Sequence, residues 1–400
     1  MLGKLIRFEL RKTLRGKFFP LVLCLLLAVN MLLQCGLQEW YDWQNSPYNP
    51  APGEISFWES AENARRSTDY LREWYTQLGD LTPAECAAFE NTMKEKYGED
   101  VFEDLSPAAE TDDLTAIIHY QSILQWNEDC WEALDEVVSS AKSFGRKALE
   151  AQDNYEIRRN KQIIRLYSAE RGRITGPIVG WDDLLFHTNT MMLVFLMVLL
   201  SSAGTFSDER DKQTWLLLHT SKNGKGMTLA AKYLSGAILA SGLTILFQLT
   251  SLCGALFREG LLGAAQPAAA IEQLRLFPYP FTVWQYALLQ LGCQIFAAAL
   301  LSVLLNTVSA LCKSSILSYG LGAVLLGACL LPIYAPPRQA WLSGPLALSD
   351  PLRFFDSFCT ADLFGFPVLW VIVLAALWIL LGGICILLAH RVHHRKGRAV

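Results

Sequence analysis

The chain is poor in the groups that usually carry covalent or metal chemistry. It has 6 histidines among 400 residues, and no His-Glu-x-x-His or Gly-x-Ser-x-Gly stretch occurs. That removes the commonest zinc-hydrolase and serine-hydrolase arrangements. His119 and His187 stand alone, and His390, His393 and His394 in "HRVHHRK" lie among Arg391, Arg395 and Lys396, where a bound cation would be repelled. No catalytic residue, metal or other cofactor is expected. No apolar run carries a central Asp or Glu, which disfavours a carrier driven through an intramembrane carboxylate relay. "SKNGKGMTL", residues 221 to 229, looks like a phosphate-binding loop but fails twice: His219 stands where the first glycine is needed, and Lys225 is followed by Gly226. The anion nest and the Mg²⁺-binding hydroxyl are both missing, so the chain is expected to hydrolyse no ATP by itself. A net charge of −4 and the absence of a nucleic-acid-binding motif give no reason to expect nucleic acid as a partner.

Charge is scarce as well, at 18% of residues, while hydrophobic residues reach 52% and the mean hydropathy is +0.25. A water-facing surface throughout is hard to build from that composition. A bilayer-spanning helix takes roughly 20 mostly apolar residues, and six runs of that kind are read near Phe18 to Cys35, Phe186 to Phe206, Leu229 to Phe257, Phe281 to Leu311, Ser315 to Tyr334 and Phe366 to Ala389. The expected fold class is all-α, a polytopic membrane protein with six transmembrane helices and a helical extracellular domain.

The small net charge hides a segregation. Residues 37–185 hold 29 Asp+Glu and 14 Lys+Arg, a balance of −15, and the rest of the chain carries +11. An acidic domain is thus inserted into a basic membrane protein. Short basic segments resist translocation whereas long domains cross largely regardless of charge. With six spans, the basic start, the loop holding Arg210, Lys212, Lys222 and Lys225, the link with Lys313, and the tail all fall on one side. Both termini are then cytoplasmic and the insert is outside. The organisation read is an amphipathic interfacial helix over 1–17, a first span over 18–36, the acidic insert over 37–185, spans two to six over 186–390 with a cytoplasmic loop at 207–228, and a basic tail over 391–400.

Lys4, Arg7, Arg11 and Arg15 recur three or four apart in the first seventeen residues, so they share one helical face suited to anionic headgroups of the membrane lipids. A signal peptide is disfavoured, because the apolar run is too long and Gln34 precedes Cys35. In the insert, apolar residues recur at helical spacing. Pro83 after Thr82 and Pro107 after Ser106 mark two helix starts, and a long helix from about Trp131 to Glu170 is expected to break or bend at Gly145. Trp40, Trp43 and Trp181 are expected as anchors at the outer headgroups, and Phe354, Phe355 and Phe358 as a segment lying on or dipping into the outer leaflet. Cys86 and Cys130 are the only cysteines of the insert, and a disulfide between them is left open. The polar residues Asn30, Asn189, Gln248, Gln290, Gln294 and Asn306 within the spans are expected to bridge helices more than to line a path.

The stretch "TFSDERDKQTWLLLHTSKNGKGMTLAAKYLSG", residues 205 to 236, resembles the cytoplasmic loop of ABC-2-type transporter permeases. Glu209, Thr214, Leu216 to Leu218, Thr220, Ser221, Lys225 and Lys232 follow that family's order and spacing, with Gln213 where a small residue is usual. The basic start, six spans and large insert after the first span extend the resemblance to the branch of the family with an extracellular domain. It implies the permease subunit of a bacterial ABC transporter, an exporter, in the cell membrane. The partners implied are a separate ABC ATPase subunit and a second copy or related permease. Coupling to the ATPase would fall to Glu209, Thr214, Leu217, Lys222, Lys225 and Lys232, with a short polar helix expected from Asp208 to Leu218 and "SKNGKG" as the turn back to the membrane. The rival reading is a non-transporting membrane sensor or assembly protein whose ectodomain binds a ligand.

Overall fold

The computed structural model describes residues 2–16, 18–44, 56–78, 83–108, 113–170, 178–186, 189–213, 224–258, 260–330, 344–350, 352–355 and 357–396. The protein is mostly helical. The first seven helices are α1 (Leu2–Leu14), α2 (Phe18–Gln34), α3 (Leu37–Gln44), α4 (Phe57–Leu78), α5 (Pro83–Tyr97), α6 (Asp113–Glu150) and α7 (Asn154–Glu170). They are followed by α8 (Trp181–Phe186), α9 (Asn189–Ser202), α10 (Ser207–Asp211), α11 (Gly224–Arg258), α12 (Val283–Leu311), α13 (Ser315–Leu330), α14 (Leu352–Phe355) and α15 (Trp370–Lys396). Two short antiparallel strands, β1 (Thr360–Leu363) and β2 (Phe366–Leu369), pair with Thr360 opposite Leu369 and add a hairpin to the expected all-helical plan.

Among the described residues, four segments are long and apolar enough to cross a membrane: Leu184–Asp211, Gly226–Arg258, Val283–Leu311 and Trp370–Val392. A fifth arises if α1 and α2, bent by 71° at their junction, form one span, while α13 is a shorter apolar helix. These helices pack around Val194, Phe195, Met197, Phe247, Leu301 and Leu305, all buried. Their outward faces, such as Ile379, Leu380 and Leu387 on α15, remain exposed and apolar, as a surface meeting hydrocarbon would be.

Close approach depends on small residues. A Cβ at Gly236 of α11 would lie 2.6 Å from both Asn306 Nδ2 and Ser302 Oγ of α12, and one at Gly254 would lie 2.7 Å from Gln34 Cβ of α2. Hydrogen bonds tie the same helices. Asn30 donates to Thr250 Oγ1 (2.9 Å), Ser251 Oγ (2.9 Å) and the Phe247 carbonyl (3.1 Å), and its Oδ1 accepts from Thr190 (2.9 Å). Gln248 donates to Gln294 at 2.8 Å, Gln290 to the Leu185 carbonyl, and Asn306 to Ser302 of its own helix. Of the six polar residues singled out within the apolar runs, Asn30, Gln248, Gln290 and Gln294 bridge segments. Without a hydrophobic driving force between helices in lipid, such bonds and close packing are what can hold them together.

Several sequence expectations are corrected in the insert and its neighbourhood. The long helix does not break at Gly145. α6 runs through it, because Gly145 packs against Asn160 of α7, where a Cβ would find Asn160 Cβ at 3.5 Å. The break falls at residues 151–153 instead, where Gln152 adopts φ 56° and the Asp153 carboxylate accepts from the backbone N–H groups of Tyr155 and Glu156, an N-cap for α7. Helix α5 begins at Pro83 as expected, but Ser106–Ala108 makes only a single 3₁₀ turn. Trp181 is buried instead of facing headgroups, and Phe354 and Phe355 lie with it beside Phe277 and Tyr286 in a protein cap over one end of the bundle. Phe358 packs between α6 and α7 against Leu134, Ile163 and Tyr167. Trp40 stacks edge-on to Phe57, with ring centroids 6.2 Å apart. Cys86 and Cys130 are both buried free thiols. Burial pushes both thiols up, that of Cys130 to about 11.

Candidate functional site

The sequence places charged residues at the ends of the apolar helices, and most can reach solvent. Lys4, Arg7 and Arg11 of α1 and Arg15 just after it are all exposed. By contrast, Glu9 is the only acidic residue in the first seventeen positions and the only buried side chain of α1. Glu9 turns toward a charge cluster built from three separate elements.

At its centre is Glu209 of α10. Its Oε1 accepts from Lys232 Nζ at 2.7 Å and from Lys12 Nζ at 2.6 Å. Glu9 completes the set, 3.8 Å from each ammonium. Two carboxylates and two ammoniums balance, which matters because Lys232 is 1% exposed and Glu209 7%. Lys232 also donates to the Thr205 carbonyl at 2.8 Å and lies 4.9 Å from the centroid of the Phe206 ring. An unpaired ammonium at this depth would face a large desolvation penalty; here hydrogen bonds, countercharge and an aromatic face replace the lost water. Lys12 is half-exposed, so the cluster opens to solvent along α1.

The two residues after Glu209 anchor other helices. Arg210 donates to the Ala310 and Cys312 carbonyls at the end of α12, where a helix leaves its last carbonyls unsatisfied and a cation is favoured. Asp211 Oδ2 accepts from Ser315 N at 2.9 Å and from Ser315 Oγ at 2.5 Å at the start of α13, where the exposed N–H groups favour an anion. Ser309 Oγ receives the Phe206 and Ser207 N–H groups at 3.0 and 3.1 Å. Beneath lie Phe206, Leu229, Tyr233, Ala310 and Ala389. Three consecutive residues, Glu209, Arg210 and Asp211, thus bind α1 with α11, then α12, then α13. The result is a node through which a push on α10 reaches four helices.

Of the residues the sequence singled out, Glu209 and Lys232 meet directly. Thr214, Leu217 and Lys222 lie outside the described residues, and for Lys225 only its helical backbone at the start of α11 is described. The polar helix expected from Asp208 to Leu218 is shorter in the structure, because α10 ends at Asp211 and Gln213 turns the chain with φ 55°. Lys4, Arg7, Arg11 and Arg15 are not part of the cluster. Sequence reasoning missed Glu9 and Lys12. The one acidic residue in an otherwise basic helix was a usable signal, since a lone carboxylate there needs a partner. Arg210 enters the sequence reading only as a loop charge, and Asp211 not at all. Among the described residues no group of His, Cys, Asp and Glu is placed to hold a metal ion.

No protein-family model matches the chain, and neither a curated protein nor a solved structure matches it.

Proposed function

We propose that the chain is the permease subunit of an ABC-type exporter in a bacterial cell membrane, with six spans, both termini cytoplasmic and the acidic insert outside. α2 would make the first span, with α1 lying at the interface before it, and α13, extended by the residues after it, the fifth. A separate ATPase would press on the segment that follows Gln213, and two such chains, or this chain and a related permease, would enclose the path. The observation that supports this reading best is the node at Glu209, Arg210 and Asp211. A solvated loop needs no buried ion pair, whereas an element that must transmit a displacement has to be fixed to the helices it moves. The node lies within the first part of the stretch, residues 205 to 236, that resembles the permease coupling loop. Lacking a P-loop, the chain would take its work from the partner, where the phosphate-binding and catalytic groups would reside.

The test is co-expression with a P-loop ATPase, should one be encoded beside this chain. Glu209→Gln should leave the complex assembled while ATP turnover no longer responds to transport, or should release the ATPase. Unchanged co-purification and turnover would remove the coupling role. Cysteines introduced near Lys222 and Arg395 should resist an impermeant thiol reagent in intact cells while one near Asp112 reacts. Labelling at position 222 from outside would overturn the topology.

A further inference from the structure

The insert changes sign along its length. Residues 37–141 carry 23 Asp+Glu and 5 Lys+Arg, whereas residues 142–165 carry 3 Asp+Glu and 7 Lys+Arg. The switch occurs within α6. Its first part, from Asp113 to Ala141, has no basic residue, and its last part brings Lys142, Arg146 and Lys147, all exposed. Across the turn, α7 adds Arg158, Lys161 and Arg165, also exposed.

The same place carries exposed apolar side chains. Phe144 is 59% exposed and Leu149 66% exposed at the end of α6, and Phe364, at the tip of the β1–β2 hairpin, is 98% exposed. The hairpin is held to α7: Arg158 donates to the Gly365 carbonyl at 3.0 Å, and its guanidinium lies 4.0 Å from the Phe366 ring centroid. The basic turn and the aromatic tip therefore form one surface.

Its orientation follows from two tethers. Tyr155 Oη, at the start of α7, donates to the Thr360 carbonyl at 3.0 Å, and Thr360 pairs with Leu369, the residue before the apolar helix α15. Tyr167 Oη, near the end of α7, donates to the Leu276 carbonyl at 2.9 Å. Leu276 adjoins Phe277, which packs against Tyr286 in the first turn of α12. The tethers are twelve residues apart, or about 18 Å along a helix, and both reach elements adjoining the starts of apolar spans. α7 is thus held near both its ends to this end of the bundle instead of standing away from it, with the turn and the hairpin tip beside it. A basic rim with exposed aromatics at that level matches the chemistry of an anionic headgroup layer above hydrocarbon.

We propose that the α6–α7 turn and the hairpin tip form a foot that rests on the neighbouring leaflet, with Lys142, Arg146, Lys147 and Lys161 binding anionic lipid headgroups and Phe144 and Phe364 entering the interface. The inference rests only on the apolar helices crossing a bilayer and holds whether or not an ATPase couples to the chain. The test is amide hydrogen exchange of the full-length chain in nanodiscs of phosphatidylcholine alone and of phosphatidylcholine mixed with phosphatidylglycerol. Residues 142–158 and 360–369 should exchange more slowly in the anionic discs, by roughly fivefold for each basic group that engages, and high salt should abolish the difference. Lys142→Glu, Arg146→Glu and Lys147→Glu combined should abolish it too, with protection at Ile117, Tyr120 and Ile163 unchanged as the control for folding. Phe364→Asn, which suits the positive φ of 54°, should lower protection of the tip in both discs. Equal exchange in the two lipid mixtures would overturn the proposal. So would protection that appears only when two chains share a disc, which would assign the surface to a second copy. The ATPase assay above reads neither outcome, so the two proposals fail separately.

Discussion

Ion pairs at the two ends of this molecule share chemistry and differ in consequence. In the insert, Arg66 meets Glu62 at 2.6 Å with both side chains more than half exposed, and Lys96 meets Asp113 with Lys96 at 57%. At the α1 end, Lys232 meets Glu209 at nearly the same distance, 2.7 Å, with exposures of 1% and 10%. Water competes for the first kind and is largely shut out from Lys232 in the second. An exposed pair contributes about 0–1 kcal/mol, whereas removing one partner of a buried pair strands the other charge at a cost of about 3–5 kcal/mol. Distance alone therefore says little about what a salt bridge does, and burial tells the two apart.

The sharpest way to break the comparison is at the node. Glu209→Ala should destabilise the detergent-solubilised chain by about 3–5 kcal/mol, because it leaves buried Lys232 with only Glu9, 3.8 Å away, as countercharge, and Lys232→Met should cost less, since Glu209 keeps Lys12 at 2.6 Å. Glu209→Gln combined with Lys232→Met should recover much of that loss, since no charge is then stranded. Thermal unfolding of the two singles and the double measures it, and additive singles would show that the pair is not coupled.

Next in size is the packing that holds the node's helices together. Gly236→Val places atoms where Asn306 and Ser302 already stand and should cost about 1–3 kcal/mol by overpacking, read as a lower midpoint in the same assay. Gly242→Ala, at a position with nothing within 4 Å, is the control and should not lower it.

The exposed side of the comparison has a pH signature. Hydrogen bonds from Lys96 and then Tyr97, the latter at 2.6 Å, hold the Asp113 carboxyl below the usual carboxylate range. Its charged form is favoured in the folded insert, so its contribution is fully present above the unfolded value near 3.9 and is lost as pH falls through the lower folded value. Asp113→Asn should remove that part of the acid dependence, with unfolding of the insert followed between neutral pH and pH 3. An unchanged acid limb would place the dependence elsewhere. Smallest of all, Glu62→Ala should shift stability by no more than about 0.5 kcal/mol, and a loss as large as that at Glu209 would erase the distinction.

Much of the architecture was legible in composition. Apolar runs, the acidic insert and the basic flanks are one-dimensional properties, because hydrophobicity and charge belong to residues whatever their neighbours. Helix starts at Pro83 and the exposed basic residues of α1 were legible for the same reason, being set within one or two turns. The insert's helix break was not. Gly145 reads as a breaker in isolation, but α6 runs through it beside Asn160 of α7, and the turn falls at Gln152. By type Trp181, Phe354 and Phe355 suit the headgroup layer, yet the segments between the apolar helices pack around them.

The candidate site divides in the same way. Glu209 and Lys232 stood out by their spacing in a loop pattern, but nothing in that pattern joined them to each other or to Glu9 and Lys12. Those contacts span 23 to 223 positions of sequence, and which charges meet depends on the bend between α1 and α2 and on how α10 inserts among four helices. By itself the sequence determined a largely helical chain with membrane-length apolar segments, an acidic insertion and no P-loop. Only the tertiary structure decided which few of its many charges are buried, because burial depends on every element that surrounds a side chain, and it is burial that turns an ordinary ion pair into a joint between helices.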